Sequence, residues 1–201
     1  MKRKGDTKAR IVTATWELFY EQGYDSTTVD DIVELSGTSK GSFYHYFESK
    51  DGVLSSLAYL FDKRYEELET NLDPAVGAFG TLLYLNQELF DLIDRKIDRN
   101  LLSRLYSTQL NARGEKSLTD NDRLYYRLLR RIVTAGQKAG ELTDTLSVND
   151  IVRLYAMCER AMIYEWCLCG FTFSLKSYSE KMLPLLLSGI RTKEELPHAD
   201  R

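Results

Sequence analysis

The chain has 201 residues, of which 43% are hydrophobic and 28% charged, a balance typical of a globular protein and not of a disordered one. This length suffices for one good core, or for one core with a small appended domain. The formal net charge of −3 at pH 7 argues weakly against nucleic acid as a partner, because nucleic-acid-binding domains are usually basic.

Helix signals dominate the sequence, which contains only 12 glycines and 3 prolines and no stretch with the alternation of a strand. Thr28, with Asp31 three residues later, predicts a capping box, and Ser39 and Ser49 are predicted N-caps of the next two helices. Gly37 ends the second predicted helix. The predicted helices cover 8–22, 28–36, 40–47, 50–72, 78–98, 99–113, 121–139, 148–168 and 178–190. The predicted fold class is therefore all-α.

The second and third predicted helices have helix-turn-helix spacing, with a tight turn at Gly37-Thr38 where glycine can adopt a positive φ. In such a unit the first residues of the second helix meet base edges in the major groove. Small hydroxyl-bearing residues and a glycine permit close approach there, a lysine supplies charge, and aromatic tips donate or accept hydrogen bonds. The residues predicted at the DNA surface are Thr38, Ser39, Lys40, Gly41, Ser42, Tyr44 and His45.

Three neighbouring residues have other predicted roles. Phe43 and Phe47 are four apart on one helix face and are expected to pack inward. Lys50, at the start of the fourth predicted helix, is predicted to contact a phosphate with help from the helix N-terminus; the alternative is a solvated lysine.

Several blocks of residues resemble the TetR family of bacterial transcriptional regulators in order and spacing: ARIVTATWELFYEQGY (9–24), TTVDDIV (27–33), GTSKGSFYHYF (37–47) and Ser49-Lys50. The resemblance covers about a quarter of the chain, roughly residues 8–54. It implies an N-terminal three-helix DNA-binding domain, 1–48, and a C-terminal helical bundle, 49–201, for effector binding and dimerisation. It also implies a homodimer that reads a palindromic operator in double-stranded DNA and senses a small molecule. The leading hypothesis is a repressor, and the alternatives are an activator and a regulator without an effector.

The resemblance adds further DNA contacts by position. It places Thr27 or Thr28, together with Lys50, at phosphates. The N-terminal arm is implied to reach the backbone or an adjacent minor groove, the alternative being a solubilising tail. Its basic residues are Lys2, Arg3, Lys4, Lys8 and Arg10.

The last two predicted helices, 148–168 and 178–190, carry broad apolar stripes. Two adjacent helices of this kind suit a four-helix bundle formed across a two-fold axis, so the homodimer interface is predicted there. Pro184 predicts a kink or a later start in the last helix.

Aromatic residues are frequent from position 84 to 173, as in clefts for hydrophobic ligands, although an ordinary aromatic core gives the same pattern. Glu159 and Glu165 interrupt apolar rows, and a buried carboxylate needs a partner, which Arg153, Arg160 or a cationic ligand would supply. The alternatives are an interfacial ion pair and an exposed edge. The sequence predicts an aromatic and acidic pocket for a cationic or amphipathic effector of unknown identity. Its predicted lining is Tyr106, Tyr126, Tyr155, Glu159, Met162 and Trp166.

Other chemistries receive little support. No apolar run approaches the roughly 18–20 residues that span a bilayer, and the start of the chain lacks a signal-peptide core, so no membrane partner is expected. Cys158, Cys167 and Cys169 fit a reducing cytoplasm and are predicted to be structural, since a zinc site would lack ligands. The pattern indicates no catalytic residues, no metal site and no cofactor. The alternative functions are a helical enzyme or small-molecule carrier with a three-helix N-terminal domain, and a regulator whose N-terminal domain binds protein.

The placement of charge matters more than its sum. Residues 1–50 contain seven Lys and Arg against eight Asp and Glu. The basic groups, however, cluster at the arm, the predicted recognition helix and the start of the fourth predicted helix. This placement is compatible with DNA binding and predicts low non-specific affinity.

Overall fold

The protein is described by a computed structural model that covers residues 4–111 and 117–192, with side chains described for 7–110 and 117–192. It confirms the all-α fold class. The helices are α1 (Lys4–Glu21), α2 (Val29–Ser36), α3 (Lys40–Tyr46), α4 (Lys50–Leu54), α5 (Leu57–Glu69), α6 (Gly77–Lys96), α7 (Arg99–Asn111), α8 (Leu124–Lys138), α9 (Val148–Leu168) and α10 (Leu175–Leu186). Short 3-10 turns cover Pro74–Val76, Ser117–Thr119 and Ser188–Ile190.

The chain forms two compact units. The first contains the described residues of Met1–Leu60 and Asn100–Asp120, and the second those of Phe61–Arg99 and Asn121–Arg201. Compactness therefore groups α7 with the N-terminal helices, although α7 is distant from them along the chain. The division of the chain into domains 1–48 and 49–201 stays a prediction.

The predicted caps of the first unit are confirmed. Thr28 Oγ1 accepts from the Asp31 N–H at 3.1 Å, and the Asp31 carboxylate accepts from the Thr28 N–H at 2.8 Å, which completes the capping box. Ser39 caps α3 and Ser49 caps α4 through their hydroxyls. Gly37 ends α2 with φ of 57°, the left-handed region that glycine enters without a Cβ penalty.

One predicted helix, 50–72, is wrong as a single element. It is divided into α4 and α5 by a turn at Ser55-Ser56. Ser56 Oγ donates to the Val53 carbonyl at 2.6 Å and accepts from Trp16 Nε1 at 2.8 Å. A serine hydroxyl that bonds the preceding turn competes with regular helix bonding, and here a buried tryptophan fixes it in that role.

The core of the first unit holds the helix-turn-helix together. Its buried residues are Ile11 of α1, Ile32 of α2, Phe43 of α3, Phe47 directly after α3 and Val53 of α4. The inward packing predicted for the two phenylalanines is confirmed. Because these side chains point inward, the opposite side of α3 faces solvent.

In the second unit α6 packs on α8 and α10, and α9 packs on the same two helices. Gly136 permits a close approach of α8 to its neighbours, because a Cβ there would lie 2.5 Å from Ala78 Cβ and 2.8 Å from the Leu142 side chain. The last helix, α10, begins at Leu175 behind the N-cap Ser174 and continues through Pro184. It therefore starts earlier than the predicted 178.

Candidate functional site

Most of the residues predicted at the DNA surface from α3 are exposed, whereas Phe43 between them is buried. Seven residues of the α2–α3 turn and α3 are predicted to contact DNA. Of these, Thr38 and Ser42 are half-buried. The other five are exposed: Ser39, Lys40, Gly41, Tyr44 and His45. The helix therefore presents hydroxyl, ammonium and aromatic groups on one accessible face.

Lys40 is paired within the first unit. Its Nζ lies 2.7 Å from the Asp30 carboxylate, and both side chains are largely exposed. The hydrogen bond to Asp30 raises the pKa of Lys40. Because both side chains are accessible to solvent, this ion pair costs little to break.

The turn of the helix-turn-helix is held by Arg10. Its guanidinium donates to the Ser36 carbonyl and, at 2.6 Å, to the Gly37 carbonyl. This member of the predicted arm thus has a structural contact. Lys2 and Arg3 lie outside the described residues, as does the side chain of Lys4.

Thr27 and Lys50 have structural contacts near the predicted phosphate sites. Thr27 is buried, and its hydroxyl donates to the Gly23 carbonyl at 2.8 Å. Lys50 Nζ donates to the carbonyls of Tyr24 at 2.6 Å and Thr27 at 2.7 Å, and burial lowers its pKa. Thr28 is exposed at the N-terminus of α2. The phosphate contacts of these residues stay predictions.

The predicted effector residues are divided between the units. Tyr106 lies on α7 in the first unit, and its contact with a ligand stays a prediction. The other five lie in the second unit and are buried: Tyr126, Tyr155, Glu159, Met162 and Trp166. Of these, Tyr155 OH donates to the Leu82 carbonyl at 2.8 Å, and Trp166 Nε1 donates to the Phe173 carbonyl at 2.7 Å.

The partners of Glu159 differ from those expected. Its carboxylate accepts from Tyr125 OH at 2.6 Å and from Asn86 Nδ2 at 3.0 Å, two residues that the sequence did not single out. Arg160 instead donates to Tyr126 OH at 3.1 Å. The carboxylate is thus solvated by neutral donors and not by an arginine in contact with it.

Burial governs the protonation of this cluster. Burial raises the pKa of Glu159, although its hydrogen bonds oppose the shift. Burial and the nearby Glu159 charge raise the pKa of Tyr125 and Tyr155 well above the ordinary value. Both phenols therefore stay protonated and available as donors. Glu165, the second predicted carboxylate, is exposed and accepts from Cys169 Sγ at 3.4 Å.

A buried ion pair lies in the second unit beside this cluster. Arg123 donates from Nε at 3.0 Å and from Nη2 at 2.8 Å to the two carboxylate oxygens of Asp62 on α5. The Tyr125 N–H also donates to Asp62, at 3.3 Å. Tyr125 therefore contacts two buried carboxylates, Asp62 through its backbone and Glu159 through its hydroxyl.

A cavity of about 630 Å³ opens on the second unit, where the end of α6 meets the start of α10. Its charged lining is Asp91, Asp94, Arg95, Arg99, Lys176 and Glu180. The six effector residues predicted from the sequence are not among its lining residues.

Within the described part of the chain, no group of three or more His, Cys, Asp or Glu side chains is arranged to hold a metal ion. Across the same residues, no helix has the length and apolarity needed to cross a membrane. Cys158, Cys167 and Cys169 are free thiols.

Comparison with known proteins points to one family. Residues 11–57 match the family described as bacterial regulatory proteins, tetR family. The uncharacterized HTH-type transcriptional regulator YvdT of Bacillus subtilis is 32% identical over 139 residues, covering 69% of this chain and 71% of YvdT. The fatty acid metabolism regulator protein of the same organism is 25% identical over 194 residues, covering 96% of this chain and all of that protein.

A solved structure agrees with this comparison over most of the fold. The structure of the transcriptional regulator FadR from Bacillus subtilis, in complex with stearoyl-CoA, superimposes with a TM-score of 0.63 at 26% identity. The match covers 91% of this chain and 99% of that one. Both the N-terminal helices and the rest of the chain therefore have counterparts in a known regulator.

Proposed function

The chain belongs to the TetR family of DNA-binding bacterial transcription regulators, and we propose that it is a repressor that binds a palindromic operator as a homodimer in the cytoplasm. The single observation that carries this proposal is the accessible face of α3. It presents Lys40, Tyr44 and His45 to solvent, while the buried Phe43 anchors the helix in the core. A rigid helix with this polarity suits insertion in a major groove.

The proposed dimer forms through the last two helices. Met157, Tyr164 and Leu168 are exposed along α9 with spacings of seven and four residues, so they share one face of the helix. Leu185 and Leu186 are exposed on α10. Large apolar side chains exposed in such rows support pairing with a second copy across a two-fold axis.

The proposed effector is an amphipathic small molecule, and long-chain acyl-CoA thioesters are the first class to test. The B. subtilis FadR structure was solved with stearoyl-CoA, and this chain matches nearly all of that regulator. The predicted lining in the second unit is rich in aromatic side chains, which suits a hydrophobic ligand. The cationic alternative has less support, because Glu159 already has Tyr125 and Asn86 as hydrogen-bond donors.

The test is selection of bound sequences from a random duplex library with the purified protein, followed by affinity measurement on the selected site. We expect a palindrome with two half-sites about one helical turn apart, bound by a dimer. Tyr44→Ala should weaken this binding at least tenfold, whereas Tyr59→Ala should not. The two tyrosines are a matched pair, 55% and 52% exposed in the first unit, but Tyr59 lies on α5.

Adding stearoyl-CoA to the preformed complex tests the effector class, and release of the DNA is the expected result. If the protein selects no duplex but binds the thioester, a small-molecule carrier is the correct function. If DNA binding persists unchanged with Lys40 and Tyr44 both replaced by alanine, the head uses another surface and the proposed interface is wrong.

A further inference from the structure

The turn between α1 and α2, residues 22–28, is held by contacts from α4. Lys50 Nζ donates to the carbonyls of Tyr24 and Thr27 and lies 4.1 Å from the centroid of the Tyr24 ring. The Tyr24 hydroxyl donates to the Asp51 carboxylate. Burial and that carboxylate raise the pKa of Tyr24, so the hydroxyl stays protonated as a donor. Helix α4 thus fixes one side of the turn.

The same turn is also held by α7. Arg104 Nη2 lies 2.6 Å from the Asp25 carboxylate, and the Arg104 guanidinium carbon lies 4.3 Å from the centroid of the Tyr24 ring. One tyrosine ring therefore interacts with two cations, from α4 and from α7. Each cation–π contact is attractive through the ring quadrupole, so together they restrict the position of the turn.

The fold of α7 does not depend on this arginine. Three leucines bury the apolar face of the helix: Leu101, Leu102 and Leu105. Gln109 Nε2 also donates to Ser55 Oγ at 3.4 Å. Because these contacts keep α7 in the first unit, loss of the arginine is expected to free the α1–α2 turn without unfolding the helix.

The position of the turn determines where α2 begins. The turn ends at Thr28, the N-cap of α2, and α2 packs on α3 through Ile32 and Phe43. We propose that Arg104 is a positioning residue for DNA binding, which couples α7 to the helix-turn-helix by holding the α1–α2 turn and does not itself touch DNA.

This inference rests on the proposed function and adds a route of regulation to it. Helix α7 follows α6 of the second unit after only Ile97 and Asp98. A ligand-dependent change in α6 therefore has a short covalent path to α7.

The first test measures operator affinity over a series of salt concentrations for Arg104→Ala. We expect about tenfold weaker binding, about 1.4 kcal/mol, with an unchanged slope of log K against log salt. Arg104→Lys retains a cation beside Tyr24 and Asp25 and should recover most of the affinity. The control is Arg131→Ala, another exposed arginine paired with a carboxylate, that of Glu69. If the slope of log K against log salt in Arg104→Ala is smaller than in the wild type by about one for each DNA-binding domain, Arg104 contacts a phosphate directly and the proposal is overturned. So would unchanged affinity.

The second test needs no DNA. Hydrogen exchange of the wild type and of Arg104→Ala is compared over residues 22–36, with circular dichroism as a check of folding. We expect faster exchange in the variant within this segment, and no change there in Arg131→Ala. Unchanged exchange overturns the proposal whatever the DNA result. If the wild type binds no duplex but exchange is faster in Arg104→Ala as expected, the proposed function fails, whereas the role of Arg104 in positioning the α1–α2 turn is supported.

Discussion

The Asp62–Arg123 pair should make the second unit highly sensitive to a single substitution. The two side chains are only 12% and 5% exposed, and two hydrogen bonds of 3.0 and 2.8 Å join them. Arg123→Ala removes the cation and leaves a buried carboxylate, which typically costs about 3–5 kcal/mol. Against a total stability of about 5–15 kcal/mol, this loss amounts to a large fraction of the free energy of unfolding.

The measurement is guanidinium chloride unfolding followed by circular dichroism at one protein concentration, because dimerisation would make stability concentration-dependent. Arg131→Ala is the control: its ion pair with Glu69 is 60% exposed on the arginine side, so we expect a loss below about 1 kcal/mol. Arg123→Lys should give an intermediate loss, since an ammonium replaces a two-bond guanidinium fork by a single point contact.

A double variant separates the cost of a stranded charge from the loss of packing. Asp62→Leu with Arg123→Met removes both charges and keeps apolar volume, so it should recover most of the stability lost in Arg123→Ala. If Arg123→Ala costs no more than Arg131→Ala, the pair is not desolvated as the geometry implies. A double variant as unstable as the single one would assign the loss to packing.

Three further substitutions test other parts of the structure. The raised pKa of Glu159 means that the native state binds this proton more tightly than the unfolded chain, so wild-type stability falls as pH rises from the ordinary glutamate pKa through the raised value. Unfolding measured from pH 4 to 8 should therefore show Glu159→Gln gaining stability relative to the wild type, and parallel curves would contradict the shift. Gly136→Ala should lower the free energy of unfolding by about 1–3 kcal/mol in the same assay, because its new methyl would lie 2.5 Å from a methyl of α6. Gly189→Ala is the control and should be neutral, because a Cβ there would have no atom within 4 Å. Asp30→Asn releases Lys40 and should strengthen binding to random-sequence duplex severalfold at low salt in an anisotropy titration; no change would show that the pair does not limit non-specific affinity.

Contacts between residues close in sequence were predictable. The capping box of Thr28 and Asp31 and the cap at Ser39 each span three residues, so side-chain chemistry at fixed spacing determines them. The break between α4 and α5 was not predictable, because the serine that makes it bonds a tryptophan 40 residues earlier. Periodicity alone cannot report such a partner.

The same distinction applies to the candidate sites. Helical spacing was enough to predict which side of α3 is exposed, once Phe43 and Phe47 were placed inside. It also indicated that Glu159 interrupts an apolar row. The donors to that carboxylate lie 73 and 34 residues away, so they depend on how α6, α8 and α9 pack. One feature of the sequence could have pointed to Asn86: it is a polar residue on the same helical face as the buried Leu82 and Leu89 of α6.

Four of the carboxylates near the N-terminal helices make specific contacts. Asp31 caps α2, Asp30 pairs with Lys40, Asp25 pairs with Arg104, and Asp51 accepts from a tyrosine hydroxyl. Each therefore stabilises the first unit or compensates a cation there.

Among the described residues of the first unit, Lys40 and Arg104 are paired with carboxylates, and this pairing predicts weak binding to random sequence. Under the proposed function, we expect tight binding when phosphates displace Asp30 from Lys40 and both DNA-binding domains of the proposed dimer engage correctly spaced half-sites. Under this arrangement a small change in the position of α2 and α3 reduces operator binding strongly while hardly affecting non-specific binding. We expect such a regulator to respond to its effector through the fit of α3 to the operator half-sites, and not through its total charge.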